Sequence, residues 1–558
     1  MKTSACGLDC YDACEIIYEN GKIGGNLCSV VHNQLPNTPR ITKPTIDGVE
    51  VSLEEALNAI NLDKNSLLYR GSGNVGVMNE ITNLLFDRLG ATTTKGTLCD
   101  GAGEYGIEEG RGFNSVVTPR SIKEAEVVVV WGRNISTTNS HLMPYLEGKK
   151  LIVIDPIKTQ IAKKADIFLQ IKPRSDFYLA ILLARFVIMQ DLQKDSDIAD
   201  IEEFYEFSRE FRIKSILAHI GLGLDDISKL IEYLSNPKVV YLVGLGVQKY
   251  SIGDSVLRAI DGLAITLGHF NRDGTGVSFL GNSKLGLDNI FAIKGKKVSK
   301  VDTEFEKFDT VLIQGANPAH SMPNRNRVIS SLKKVKNLVY FGLYENETSK
   351  LARVVIPAKN FLEKDDVRLS YSDYSIKKIN KIYDCDYGIS EYQFTKYMID
   401  RYGLGDIKSE NEYINLWLNQ DRDEIPQIEE FEFIDDFYDD FEDIKKFRKV
   451  RVKKEKEDNR YYLITPKATN SINSQFKRVD NIYINSKSGF IDGDKVIIKS
   501  EYGELDSIVK IDDTLREDCI VIKANHSKVN NLTPPTISQE GENACFQEIR
   551  VEINLEEG

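Results

Sequence analysis

Four of the eight cysteines fall within the first 28 residues, at Cys6, Cys10, Cys14 and Cys28, with the spacing C-x3-C-x3-C-x13-C. Between the third and fourth thiols lies Glu15-Ile-Ile-Tyr-Glu-Asn20-Gly21-Lys-Ile. Asn and Gly both tolerate positive φ, so an Asn-Gly pair between apolar runs predicts a tight hairpin. Such a hairpin returns Cys28 to the side of the first three thiols. Four converging thiolates ask for a metal centre. The spacing admits two, a [4Fe–4S] cluster or a structural zinc. Disulfides fit poorly, because no secretory signal is read at the start of the chain and a cytoplasmic, reducing setting is expected.

Two further stretches could carry chemistry. A short predicted strand at residues 67–70 runs into Gly71-Ser-Gly73-Asn74-Val-Gly76, and a helical pattern follows over 77–89. G-x-G-x-x-G between strand and helix is a dinucleotide-binding context. NAD also wants an acidic residue about twenty residues on. Asp87 comes too early for that, and Asp100 sits in a Gly-rich loop. The loop amides could instead cradle another anion. The second stretch is Cys99-Asp100-Gly101-Ala102-Gly103. Small neighbours let a bulky ligand approach Cys99, although an isolated cysteine can equally be a buried structural one.

These loops need a scaffold, and the sequence supplies an α/β one. Apolar strands ending in polar turns recur: 127–131 before Gly132-Arg133-Asn134, 151–154 before Asp155-Pro156, 167–171 before Pro173-Arg-Ser-Asp176, and 239–243 before Gly244-Leu-Gly246. The pattern returns at 310–314 before Gly315-Ala-Asn317-Pro318, and at 338–341 before Glu345-Asn-Glu347-Thr348. Such units build parallel sheets, with ligands at the carboxyl ends of the strands. So many polar strand ends predict a large, nucleotide-like ligand and two α/β regions, before and after about residue 285. Ser52 and Glu55 form a capping box that opens a helix. Residues 421–460 are acidic and then basic, which reads as a charged linker. From residue 461 short strands, including a pair around Asp492-Gly493-Asp494, read as a small barrel. A net charge of −12 excludes a general nucleic-acid role. No apolar run of about twenty residues predicts a direct membrane span.

These residues, in this order, resemble the molybdopterin oxidoreductases of the dimethyl sulfoxide reductase family, which includes formate dehydrogenases and periplasmic nitrate reductase. The likeness runs through the cysteine motif, Trp131-Gly-Arg-Asn134, Ile154-Asp155-Pro156 with Thr159, Ala165-Asp166, Gly244-Leu-Gly246 and Asn317-Pro318. It continues through Glu347-Thr348, Ile356-Pro357-Ala358, Phe361-Leu-Glu-Lys364, Thr465-Pro-Lys467, Asn473-Ser-Gln475-Phe476 and Val529-Asn530-Asn-Leu-Thr533.

The resemblance implies an α/β fold of four domains. These are a small [4Fe–4S] domain over residues 1–45, a discontinuous α/β domain over 46–130 and 285–420, and a Rossmann-like domain over 131–284. After the linker comes a cofactor-binding β-barrel over 461–558. It implies a [4Fe–4S] cluster on Cys6, Cys10, Cys14 and Cys28, and molybdenum or tungsten held by two molybdopterin guanine dinucleotides (bis-molybdopterin guanine dinucleotide). The implied cofactor-binding residues are Gly71, Gly73, Asn74, Trp131, Gly132, Asn134, Asp155, Pro156, Thr159, Asp176, Gly244, Gly246, Asn317, Pro318, Glu347, Thr348, Thr465, Lys467, Gln475 and Asn530. Cys99 stands where the family's metal takes a protein ligand, and a soft thiolate suits that metal.

The implied activity is an oxidoreductase that passes electrons between a small-molecule substrate and a ferredoxin-like partner or iron–sulfur subunit. His141, His320 and Asp100 are candidates for proton handling. The alternative is a molybdenum-free electron-transfer or scaffold subunit, related to the large iron–sulfur subunit of NADH–quinone oxidoreductase. Two departures from the family pattern stand out. Cys28 is followed by Ser29-Val-Val-His32 where relatives carry Lys or Arg, and Cys99 is followed by Asp100 where formate dehydrogenases carry His.

Overall fold

The computed structural model describes residues 1–194, 197–433 and 460–556. The N-terminal segment folds as a three-stranded antiparallel sheet, Lys2–Ala5, Glu15–Glu19 and Lys22–Gly24. Asn20 (φ 52°) and Gly21 (φ 78°) make the turn between the second and third strands, as the Asn-Gly pair predicts.

Two mainly parallel sheets form the body. The first has five strands in the order Ile167–Leu169, Lys150–Ile154, Val127–Trp131, Val239–Val243, Gly276–Ser278. In chain order that is 3-2-1-4-5, so the direction of winding reverses between Val127–Trp131 and Val239–Val243. Successive side chains feed opposite cores. Val127, Val129 and Trp131 pack with the helix Asp176–Met189 and its neighbours, while Val128 and Val130 pack on the other face with Ile122, Leu142 and Leu146. Continuous apolar strands covered on both faces are what a parallel sheet requires.

The second sheet has eight strands, and its centre is Thr92–Lys95, Ser66–Arg70, Thr310–Gln314, Asn337–Gly342 and Val354–Pro357, all parallel. Its winding reverses between Ser66–Arg70 and Thr310–Gln314. Lys296–Ser299 extends one edge, and Thr45–Ile46 with Val49–Glu50 closes the other in antiparallel sense. The Ser52/Glu55 capping box opens the helix Leu53–Asn58. Tyr461–Ile464, Asn481–Ile484, Lys495–Ser500, Gly503–Ile511, Cys519–Ile522 and Arg550–Leu555 close into the expected barrel around Leu463, Ile482, Ile498, Val509 and Ile520.

Two predicted boundaries move. The five-stranded unit begins before residue 131. Its first strand starts at Val127, and the helix Gly101–Arg111 packs on Gly253–Thr266 of the same unit. A Cβ at Gly106 would lie 2.1 Å from the Asp254 carbonyl oxygen, so the missing side chain permits that close helix crossing. The charged linker is not a spacer over its first part. Ile428, Phe431 and Phe433 are buried, and Phe433 packs on Phe204 and Phe207 with ring centroids 5.0 and 4.8 Å apart. An acidic composition hid an apolar rib at 428, 431 and 433. Residues 434–459 of the linker lie outside the described residues. Among the described residues no helix is long and apolar enough to cross a membrane.

Candidate active site

Both reversal points open into one cavity of about 1000 Å³. Gly132 and Gly244 follow the two strands that flank the reversal in the five-stranded sheet, and Gly71 and Gly315 do the same in the eight-stranded sheet; all four line the cavity. Ligands of open parallel sheets sit where the strand order reverses, because the outgoing loops diverge there and leave a crevice. The glycines answer to crowding. Gly73 N donates to Gly315 O at 2.8 Å, and a Cβ on Gly73 would lie 2.6 Å from that oxygen.

The cavity collects most of the predicted residues. Cys6, Cys10, Cys14, Cys28 and Cys99 line it, with Gly71, Gly73, Asn74, Gly132, Asn134, Asp155, Pro156, Thr159, Asp176, Gly244, Gly246, Asn317 and Pro318. Thr465, Lys467, Gln475 and Asn530 reach it from the barrel. Trp131, Glu347 and Thr348 do not line it. They stand behind the wall and hold residues that do. Trp131 is fully buried, and its Nε1 donates to Asp176 Oδ1 at 2.7 Å. Asn317 Nδ2 donates to Glu347 Oε2 at 2.7 Å, while Thr348 N and Oγ1 donate to Asn317 Oδ1. A motif read along the chain mixes wall and buttress residues, because both recur in it.

The four N-terminal thiols sit close enough to perturb one another. Burial raises the Cys6 pKa well above the ordinary thiol value, and Cys10 and Cys14 raise it further. Cys14 is pushed up to about 12 by burial, then by Cys10, Asp12 and Cys28. Among the described residues no three His, Cys, Asp or Glu side chains converge on a single-ion position. The segment is tied to its surroundings. Val75 N donates to Gly7 O at 2.8 Å, and Asp9 accepts from Ser72 Oγ and Asn473 Nδ2. His141 Nδ1 lies 2.9 Å from Asp12 Oδ2 and 3.7 Å from Cys14 Sγ, which puts it beside this group.

Cys99 is held by its backbone. Its amide donates to Thr97 Oγ1 at 2.8 Å, and Gln248 Nε2 and Lys249 Nζ donate to its carbonyl at 2.6 and 2.5 Å. Burial and the Asp100 carboxylate push the thiol up to about 12, against the pull of Lys249 and Lys467. A thiol so placed stays protonated until a metal or further positive charge compensates it. Lys300 also lines the cavity, with its ammonium pushed down to about 8 by burial and by Arg70. The sequence reading missed Lys249 and Lys300. Lys249 had a usable signal, since it lies three residues beyond Gly246 in the same strand-end loop. Lys300 had none, because it follows an edge strand far from any motif.

The wall contains polar atoms that want partners. Asn74 Oδ1, Arg133 Nη1, His320 Nδ1 and Asn525 Oδ1 are buried, have no hydrogen-bond partner and belong to cavity-lining residues. Buried polar atoms are seldom left unpaired, so a cluster of them around one space fits a polar ligand there. Asp155 and Asp176 are pushed up to about 7 and about 6, chiefly by burial. His320 is pushed down to about 4 by burial and Arg478, and its Nε2 donates to His526 O at 3.2 Å.

Residues 40–387 match the family profile of molybdopterin oxidoreductases, so the chain belongs to the molybdopterin oxidoreductase family. That family implies molybdenum or tungsten with a pterin cofactor. A Bacillus subtilis protein described as probable oxidoreductase YyaE is 24% identical over 431 residues, covering 66% of this chain and 63% of that protein. The assimilatory nitrate reductase catalytic subunit of B. subtilis is 26% identical over 414 residues, covering 62% of this chain and 58% of that protein. The alignments thus span less than two thirds of these relatives. Among solved structures, acetylene hydratase from Pelobacter acetylenicus matches 99% of this chain and 100% of its own with a TM-score of 0.78 at 14% identity, a likeness of fold.

Proposed function

We propose that this protein is a molybdenum or tungsten enzyme in which two pterin guanine dinucleotides lie against the two reversal points, with a [4Fe–4S] cluster on Cys6, Cys10, Cys14 and Cys28. The observation that carries the proposal is the single cavity lined by those four cysteines, by Cys99 and by the strand ends of both sheets. Its volume is at the top of the usual range for ligand pockets, which suits a ligand larger than a single nucleotide. When bound, the pterin-held metal supplies two-electron chemistry and the cluster a one-electron route to a partner.

The chain's own groups have separable tasks. Asp155 and Asp176 accept hydrogen bonds from the donor edge of one guanine or its ribose, and Trp131 keeps Asp176 in place. Asn317, buttressed by Glu347 and Thr348, and Asn74 serve the other reversal point. Thr465, Lys467, Gln475 and Asn530 close the barrel side. Cys99 offers its thiolate to the metal, with Lys249 and Lys467 favouring the charged form. Asp100, beside Cys99, and His320 are placed to hold or move a proton. The unpartnered polar atoms of the cavity wall support a pterin enzyme over a subunit that has lost its metal.

Elemental analysis of anaerobically purified protein tests this. About four Fe and one Mo or W per chain is expected for one cluster and one catalytic metal. Zinc without iron would overturn the cluster, and iron without Mo or W would favour the scaffold subunit. Reduction of nitrate and oxidation of formate, each with an artificial electron carrier, are the first activities to assay. The nitrate reductase relative motivates the first.

A further inference from the structure

The segment from Cys6 to Cys28 carries the acidic residues Asp9, Asp12, Glu15 and Glu19 and a single cation, Lys22, which is exposed beside the hairpin turn. A redox centre surrounded by this segment alone would sit in a negative field. His141 beside Asp12 and Arg133 over Tyr11 offset part of it, and further positive charge comes from a distant hairpin, Asp366–Leu369 paired with Ile376–Ile379. Arg368 on its first strand is 2% exposed, and its Nη2 donates to the Cys10 carbonyl at 2.7 Å. The guanidinium lies 4.9 Å from the ring centroid of Tyr371, a residue of the cavity wall, and its Nε has no hydrogen-bond partner. On the second strand, Lys377 Nζ donates to the Ala13 carbonyl at 3.0 Å. The neighbouring Lys378 points the other way and is exposed, as strand alternation requires.

We propose that Arg368, assisted by Lys377, sets the reduction potential of the N-terminal four-cysteine centre. The inference rests on the [4Fe–4S] reading above. Reduction adds one negative charge to the centre, and a permanent, buried cation favours that state. Removing the cation therefore lowers the potential. The donation to the Cys10 carbonyl makes Arg368 a positioning residue as well, since it fixes the loop between two ligands.

The test is a redox titration of the full-length, anaerobically purified protein followed by electron paramagnetic resonance, with iron and sulfide measured on the same samples. In Arg368→Gln the ratio of reduced to oxidised centre at a fixed potential should fall at least tenfold, equivalent to about 59 mV for a one-electron couple. Arg368→Lys should recover most of that loss. Lys377→Met should shift the ratio in the same direction by less, and Lys378→Met should leave it unchanged. An iron-loaded Arg368→Gln protein with wild-type potential overturns the proposal while leaving the cluster standing. Wild-type protein without iron removes the cluster reading itself. If Arg368→Gln fails to hold iron, the contrast between Lys377→Met and Lys378→Met decides, and equal potentials in those two overturn the role of the hairpin.

Discussion

The two reversal points face the same cavity but treat their carboxylates in opposite ways. In the five-stranded sheet, Asp155 and Asp176 are buried without a cation, accepting from Ile157 N and Trp131 Nε1, and both pKa values are raised. In the eight-stranded sheet three carboxylates beside the loops are matched. Glu80 pairs with Arg70 and Lys284, Glu347 with Arg478, and Glu391 with Lys364. There Glu80 and Glu347 have lowered pKa values, as burial is outweighed by their partners. A matched carboxylate is part of the frame, because its charge is already compensated. An unmatched one stores an unfavourable state that a donor-rich ligand relieves. In the proposed function, the difference marks the five-stranded side as the one whose acids receive a ligand's N–H or O–H groups. The eight-stranded side presents amides and backbone already held in place.

This contrast can be broken most severely at Lys364. Its ammonium bonds Glu391 and lies 3.3 Å from Asp366, with all three side chains nearly inaccessible. Lys364→Met strands two buried carboxylates, and a loss of about 3–5 kcal/mol in urea unfolding is expected. A loss under about 1 kcal/mol, the worth of an exposed pair, would mean that the frame does not depend on matching.

Asp155 offers an intermediate and opposite effect. Its folded-state pKa of about 7 lies above the ordinary carboxylate value of 3.8, so the stability tied to its proton is full below that lower value and is lost as pH rises through 7. Asp155→Asn removes this loss and still accepts from Ile157 N. Cofactor-free protein should gain on the order of 2–4 kcal/mol at pH 8, from roughly 1.4 kcal/mol per pKa unit, and nothing near pH 4. Protein isolated from cells should at the same time retain less guanine nucleotide. A variant that is no more stable at pH 8 would show that the carboxylate is already compensated.

The smallest effect belongs to Glu347, whose side chain and that of Arg478 are 23% and 26% exposed. Its lowered pKa means that its contribution is present above the ordinary value of 4.5 and disappears as pH falls through the depressed value. Glu347→Gln should cost about 1 kcal/mol at pH 7, in keeping with a partly screened pair. The gap to wild type in thermal unfolding should close in acid, and a gap that stays constant to pH 3 would assign the loss to packing.

Much of this arrangement was legible along the chain. The Asn20-Gly21 hairpin, the Ser52 capping box, the strand ends at Gly132, Asp155, Gly244 and Asn317, and the terminal barrel all follow from local rules of turn chemistry and apolar runs. Three things were not. Trp131, Glu347 and Thr348 look like wall residues because they neighbour wall residues in sequence, and only side-chain direction separates the two groups. Phe431 and Phe433 lie in an acidic stretch whose average polarity masks them. Arg368 has no motif, and its partner, the Cys10 carbonyl, is more than 350 positions away.

Sequence alone marked the candidate residues, because thiol spacing, turn glycines and strand-end polar groups are local properties of the chain. It also determined the family, through the order in which those groups recur. Tertiary structure decided how they meet. Two mainly parallel sheets place their reversal points on one cavity, a remote hairpin sets its cations on the cysteine loop, and pairing leaves the acids of one sheet unmatched. Those outcomes depend on long-range contacts and on burial, and both are set by the folded chain as a whole.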